Sequence, residues 1–385
     1  MTDFKLYGTP GSLFTSKARS YLIKQGIAFT NHAVGEPRFR AEIVPAVNRW
    51  IMPVMETPQG EFVQDGSDII AWFEAKGQTR FPAYPQTPLH KVISQIFELF
   101  GGEGLLRPAM HYRWNFDETN RAFLANDFSA ALAPTGAGPE EWEQVFAMAS
   151  ARMRKAMRNF GVTADTIPLV EASYEQFLDL LDAHLAHSPY LLGGRPTLGD
   201  YGLIAPLYAH LGRDPYPLAM MKNRAFRVWR WVERMNSTDH DAGEYGGASG
   251  ELFADDSVPD TLVALLKFIS EDYLPEIKAS VGFTRQWLDS KPDLAAGTNG
   301  LERKSERMVG QVEFEWRGMP IQVAVMPYRL YLLQKVQDAA ESLTGADRAG
   351  VDSLLAEAGL TEMLTLKTQR RVYRDNHLEL WGELV

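Results

Sequence analysis

A proline inside a short apolar run constrains this chain more than any other feature. The run is Ile51-Met52-Pro53-Val54-Met55. Proline cannot donate to a central ladder, so it belongs at an edge, at the first residue of a strand, or in a tight cis turn. Pro58-Gln59-Gly60 then signals a turn, and Glu61-Phe62-Val63 a second short strand. The acidic and small cluster Gln64-Asp65-Gly66-Ser67-Asp68 opens a helix that carries Ile69, Ile70 and Phe73. Upstream, Phe4 to Tyr7 reads as a strand. Phe14, Ala18, Tyr21 and Leu22 make the apolar stripe of a helix that Gly26 stops, and Ala28-Phe29-Thr30 begins another strand. The predicted order up to residue 80 is β-α-β followed by β-β-α.

A length of 385 residues calls for two or three domains. The net charge of −10 argues against a general nucleic-acid or anionic-membrane binder, which needs a basic surface. There is no cysteine. Structural disulfides, thiolate metal sites and a cysteine nucleophile are thereby excluded, and any thiol chemistry must use the sulfur of a substrate. Met1-Thr2-Asp3-Phe4-Lys5-Leu6 has no basic-then-apolar signal pattern, and no apolar run is long enough to span a bilayer. The expectation is a cytoplasmic protein without metal, nucleic-acid or membrane partners.

Phe81 to Pro88 holds three prolines in eight residues and reads as a stiff linker. Beyond this linker the chain is mainly helical to about residue 290. Ile93, Ile96, Phe97 and Phe100 form one stripe; Tyr174, Phe177, Leu178, Leu181 and Leu185 form another, with a loop at Ala133 to Pro139 between them. Thr197 and Asp200 have capping-box spacing ahead of the apolar residues Ile204, Leu207, Tyr208 and Leu211. Gly243 to Gly250 reads as a flexible connection. After it, Leu262, Leu265, Leu266, Ile269 and Tyr273 predict a helix. Val312, Phe314 and Trp316 alternate with glutamates, Arg317-Gly318 supplies a turn, and Ile321, Val323 and Val325 alternate again, which predicts a hairpin. A helix from about Tyr328 to Ala340 comes next.

The proline-led strand, turn, strand and capped helix, together with the Thr197–Asp200 pair, resemble the cytosolic glutathione transferases. That resemblance implies an α/β thioredoxin-like domain over residues 1–80, a linker over 81–88 and an all-α domain over 89–242. The segment 251–385 has no counterpart in the family and is expected as a mixed α+β C-terminal extension. The resemblance implies glutathione as co-substrate, with its thiolate attacking a hydrophobic small molecule or serving a thiol-dependent reduction, as in detoxification. Met52, ahead of Pro53, would pair through its backbone with the cysteinyl unit. Asp65 would take the γ-glutamyl ammonium, and Ser67 or the amides around Gly66 the α-carboxylate. The family has serine or threonine directly after the acid, where this chain has Gly66.

For holding the thiolate, Thr15 matches the position of the family's serine or cysteine, Ser12 lies one turn earlier, and Tyr7 matches the tyrosine of other classes. All three stay open, since Ser12 and Thr15 are also ordinary helix caps. Lys17 reads as a solvated helix residue. Phe100, His111, Tyr112 and Arg113 are expected to line the electrophile pocket between the domains, with core packing as the alternative. The extension is expected to pack on the helical domain and partly cover that pocket. A symmetric homodimer is usual for the fold unless the extension takes over the interface. The competing class is a non-catalytic binding or assembly module, as in metaxin-like and elongation-factor-associated members.

Overall fold

The computed structural model describes residues 3–246 and 250–385. The strand β1 (Phe4–Tyr7) is followed by helix α1 (Leu13–Lys24) and strand β2 (Phe29–His32). A short turn, α2 (Val44–Ala46), precedes β3 (Val54–Glu56), β4 (Phe62–Gln64) and helix α3 (Gly66–Ala75). The four strands form one sheet in the order β2-β1-β3-β4. β1 runs parallel to β2 and antiparallel to β3, with Leu6 opposite Met55, and β3 runs antiparallel to β4. The Met52–Pro53 peptide is cis. Pro53 stands just before a central strand, where its missing N–H disturbs no ladder bond, and its carbonyl accepts from the Asp65 amide at 3.2 Å. This is the thioredoxin-like arrangement that the sequence predicts.

The helical domain opens with α4 (Pro88–Leu99), α5 (Leu106–Trp114), α6 (Asp117–Leu132) and α7 (Pro139–Ala156). It continues with α8 (Ile167–His184), α9 (Leu198–Ala209), α10 (Pro215–Arg224) and α11 (Phe226–Met235). The Thr197–Asp200 capping box is present, with the Thr197 amide donating to Asp200 Oδ2 at 2.9 Å. Asp200 also accepts from Leu191 N–H and Trp231 Nε1, so one buried carboxylate joins the head of α9 to α11. Every residue of α9 except Tyr208 is buried, which makes it the axis of the domain.

The expected flexible connection at Gly243 to Gly250 lies partly outside the described residues. The extension contains α12 (Asp260–Asp272), α13 (Leu274–Asp289), the hairpin β5 (Gly310–Trp316) and β6 (Met319–Val325), α14 (Pro327–Glu341) and α15 (Gly345–Glu357). It ends in a second antiparallel pair, β7 (Arg370–Asp375) and β8 (Leu378–Leu384). In the first hairpin Val312 faces Val323 and Phe314 faces Ile321. Arg317 and Gly318 both have positive φ, the backbone of a tight two-residue turn.

The extension is part of the core rather than an appendage. Leu330, Leu332, Leu333 and Val336 of α14 belong to the same buried cluster as Val92, Ile93 and Ile96 of α4 and Ile69 and Ile70 of α3. α14 is buried on nearly all sides, between α4 and the β7–β8 pair, and the polar Arg329, Gln334 and Gln337 are buried along with its apolar residues. Its docking covers α4 of the helical domain and also reaches the thioredoxin-like domain. Among the described residues no helix is long and apolar enough to cross a membrane.

Candidate functional site

The site assembles where α1, the turn before β3, the head of α3 and the extension meet. Asp65 sits between β4 and α3 with φ +89°, a backbone conformation that a non-glycine residue holds only where its surroundings demand it. Its side chain caps α3 by accepting from the Ser67 amide at 2.9 Å. The residue after Asp65 is constrained by close packing of α3 on α1. A Cβ on Gly66 would lie 2.8 Å from the carbonyl oxygen of Phe14. The serine or threonine that the resemblance implies after the acid would have no room here against α1.

Asp65 is 5% exposed, and the extension is what covers it. Tyr328, in the first turn of α14, donates its hydroxyl to Asp65 Oδ1 at 2.8 Å and lies 3.3 Å from Ser67 Oγ. Burial alone would raise the Asp65 carboxyl; Arg374 and Lys17 outweigh it and hold the group below its ordinary range. Ser67 donates to Glu98 Oε1 at 2.6 Å and accepts from Lys17 Nζ at 2.7 Å, while Lys17 and Glu98 are themselves ion-paired. Lys17 is therefore buried at 1% exposure and part of this network, where the sequence suggests a solvated residue. Its partner Glu98 lies 81 positions away, on a helix whose sequence carries no hint of the contact.

Next to Asp65, the tip of the β7–β8 hairpin presses on the thioredoxin-like domain. Arg374 donates to Asp68 Oδ2 at 2.8 Å and to Gln64 Oε1 at 2.6 Å. Glu379 receives two bonds from Arg49, at 2.9 and 3.0 Å, and is also paired with Arg374. Burial would raise the Glu379 carboxyl, but Arg307, Arg49 and Arg374 hold it down at about 2. None of Tyr328, Arg374 or Glu379 carries a sequence signal for this site.

The three hydroxyl candidates occupy different surroundings. Thr15 is wholly buried, its Oγ1 has no hydrogen-bond partner among the described residues, and its side chain packs where a Cβ on Gly8 would fall. Ser12 is half-exposed at the head of α1 and accepts from the Thr15 amide at 3.4 Å, which leaves its own hydrogen available to donate. Tyr7 is buried and donates to Glu56 Oε2 at 2.9 Å; Arg38 bonds both Tyr7 and Glu56. Burial and the Glu56 hydrogen bond push the Tyr7 hydroxyl above its ordinary range. Met52 is half-buried, and its backbone amide and carbonyl make no hydrogen bond among the described residues.

Phe100, His111, Tyr112 and Arg113 are all buried. Phe100 meets Phe177, Phe268 and Tyr273 edge-on, and Tyr112 stacks on Phe116. His111 lies 3.0 Å from Glu171, and burial lowers its proton affinity. Arg113 holds Asp214 through two bonds, at 2.7 and 2.8 Å, and donates to the carbonyls of Gly11 and Ala209. It fastens the loop ahead of Ser12 to the helical domain. Each of the four has partners within the core.

Residues 6–80 match the family model of the glutathione S-transferase N-terminal domain, and residues 149–234 that of the C-terminal domain. The two matches, in this order, support the cytosolic glutathione transferase superfamily. Among solved structures, the transferase fold of this chain is similar to the β-etherase LigF from Sphingobium sp. strain SYK-6. The two are 18% identical with a TM-score of 0.44, over 64% of this chain and 99% of that one. It is also similar to glutathione transferase GSTFuA3 from Phanerochaete chrysosporium, at 15% identity and TM-score 0.42, over 62% and 97% of the two chains. A third is a glutathione S-transferase from Methylobacterium radiotolerans in complex with glutathione sulfonate, at 18% identity and TM-score 0.37, over 67% and 100%. Comparison with curated proteins finds no match.

Proposed function

We propose that this chain is a glutathione transferase-like protein that binds glutathione along the Met52 edge of its thioredoxin-like domain. The observation that carries the reading is the pairing of two features on one edge. Met52 offers an unpaired backbone amide and carbonyl, and Asp65 heads α3 beside it with a buried carboxylate. An extended peptide adds to such a backbone as a further strand would, and the carboxylate suits an ammonium. When bound, glutathione supplies the thiol that a chain without cysteine lacks, for attack on a hydrophobic electrophile or for reduction.

The fit is partial in both halves of the edge. At Met52 the backbone amide and carbonyl are free to pair, although Arg49, three residues earlier, is engaged by Glu379. The Asp65 half is closed while Tyr328 is seated, because the carboxylate has no exposed face wide enough for an ammonium. Of the three hydroxyls, Ser12 is the one on the surface with a hydrogen to give, at the positive end of a twelve-residue helix. That supports Ser12 as the group meeting the sulfur. A symmetric dimer of this chain would have to leave aside the faces of α4 covered by α14 and α15.

The buried Thr15 and the engaged Tyr7 favour a second reading, a binding or assembly module of the same fold without turnover. Calorimetric titration of glutathione into wild type, Asp65→Ala and Ser12→Ala, with a conjugation assay on a hydrophobic electrophile, separates the two. The transferase reading expects binding that Asp65→Ala weakens and turnover that Ser12→Ala abolishes. Binding without turnover in wild type would leave the module, and no heat with millimolar glutathione would end the glutathione reading.

A further inference from the structure

We propose that the tip of the β7–β8 hairpin, with Tyr328, is an internal latch that competes with glutathione for the Asp65 end of the site. The proposal rests on the glutathione reading above and adds its regulation. The latch presents opposite charges five residues apart across a tight turn, in which Asn376 and His377 both have positive φ. Arg374 supplies a cation to the acidic head of α3, at Asp68 and Gln64, beside Asp65. Glu379 supplies a carboxylate to Arg49, three residues before Met52. Glutathione is a zwitterion with one ammonium and two carboxylates. The chain thus fills both ends of the edge with the same pair of charges that the ligand would bring.

The contacts are of the exchangeable kind. The contacts of Arg374 and Glu379 on the thioredoxin-like domain are hydrogen bonds and ion pairs, which a polar ligand can replace, whereas Leu378 beside them is buried. The movement required is local. The side-chain amide of Gln334 on α14 clips Val372, donating to its carbonyl at 2.6 Å and accepting from its N–H at 2.8 Å, and Trp381 is bonded to Thr298 and Asn299. Both strands are held at these points, so within the hairpin only residues 373–379 need to lift, while the Tyr328 side chain must leave Asp65 as well. Asp375 and Asn376 at the tip are exposed. A ligand that binds only the open form has its apparent affinity reduced by the fraction of open molecules.

Two variants of the full chain test the latch. Arg374→Gln with Glu379→Gln neutralises the internal charge pair while keeping its shape, and Tyr328→Phe removes only the hydroxyl on Asp65. Glutathione affinity is read by calorimetry, and opening by hydrogen exchange over residues 373–379. The expected result is glutathione binding about tenfold tighter or more in either variant than in wild type. Saturating glutathione should also raise exchange at the tip of wild type. Equal affinities, with tip exchange unmoved by glutathione, would overturn the latch and leave the glutathione reading standing. If exchange shows an open tip in a variant that still ignores millimolar glutathione, the glutathione reading fails and the competition with it.

Discussion

Tyr328 donates its hydroxyl hydrogen to Asp65 across 2.8 Å and 263 positions of sequence. The bond joins the first turn of a helix without family counterpart to the residue that heads α3 in the thioredoxin-like domain. It turns the C-terminal third of the chain from an appended segment into a wall of the candidate site. The extension does dock on the helical domain, as its apolar pattern suggests, but it also closes over the thioredoxin-like edge.

Removing the extension should unfold the remainder rather than expose a working transferase. A chain ending after Tyr245 would strip α14 from α4, and with it the buried Leu330, Leu332, Leu333 and Val336. Each such side chain is worth roughly 1.5–3 kcal/mol, and their sum rivals the whole stability of an ordinary domain. Thermal unfolding followed by circular dichroism should show no cooperative transition. As a milder test, Leu333→Ala in the full chain should cost about 2–5 kcal/mol in urea unfolding.

Restoring the family's residue after the acid should harm this protein. Gly66→Ser would place a Cβ 2.8 Å from the Phe14 carbonyl and against the Lys17 side chain. Backbone cannot yield as a flexible side chain does, so the expected loss is about 1–3 kcal/mol. Glutathione affinity should not improve. A variant as stable as wild type would show that α1 and α3 have more slack than their spacing indicates.

Arg113→Lys should behave as a disruptive change although charge is kept. Lysine cannot reproduce the two bonds to Asp214 together with those to Gly11 and Ala209. The cost expected for a broken buried pair is about 3–5 kcal/mol. Because Gly11 precedes Ser12, any activity that depends on Ser12 should fall as well, with stability and turnover measured on the same samples.

Stability should decline with rising pH on account of Glu103. Burial raises its carboxyl from 4.5 to about 7, opposed by Arg329 and Arg307 and aided by Glu276 and Asp65. The folded form therefore keeps a proton that the unfolded chain releases between these two values. The resulting stabilisation is full below about pH 4.5, is lost as pH rises towards 7, and amounts to on the order of 3 kcal/mol. Glu103→Gln should match wild type in urea unfolding at the acid end and exceed it above neutral pH. Parallel profiles for the two proteins would remove Glu103 as the cause.

Local patterns in the sequence are enough for much of this architecture. The strand-turn-strand-helix run after Pro53, the Thr197–Asp200 box and the alternation around Arg317-Gly318 each arise from neighbours in sequence, and each has the predicted form. The site is another matter. The fates of Lys17, Ser67 and Arg49 depend on Glu98, Tyr328 and Glu379, partners that lie 81, 261 and 330 positions away. Thr15 looks the same in sequence whether it faces a ligand or packs beneath Gly8. A single chain's pattern records periodicity and capping, whereas which buried charge meets which is settled by packing between distant elements.

The bond from Arg49 to Glu379 spans almost the whole chain, and this has a bearing on synthesis. The thioredoxin-like domain leaves the ribosome well before the extension, but its Asp65, Asp68 and Arg49 meet their final partners only when the β7–β8 hairpin has been made. Until then those groups stay in water or borrow other partners, and the α4 face waits uncovered for α14. A domain made early is in this sense finished late.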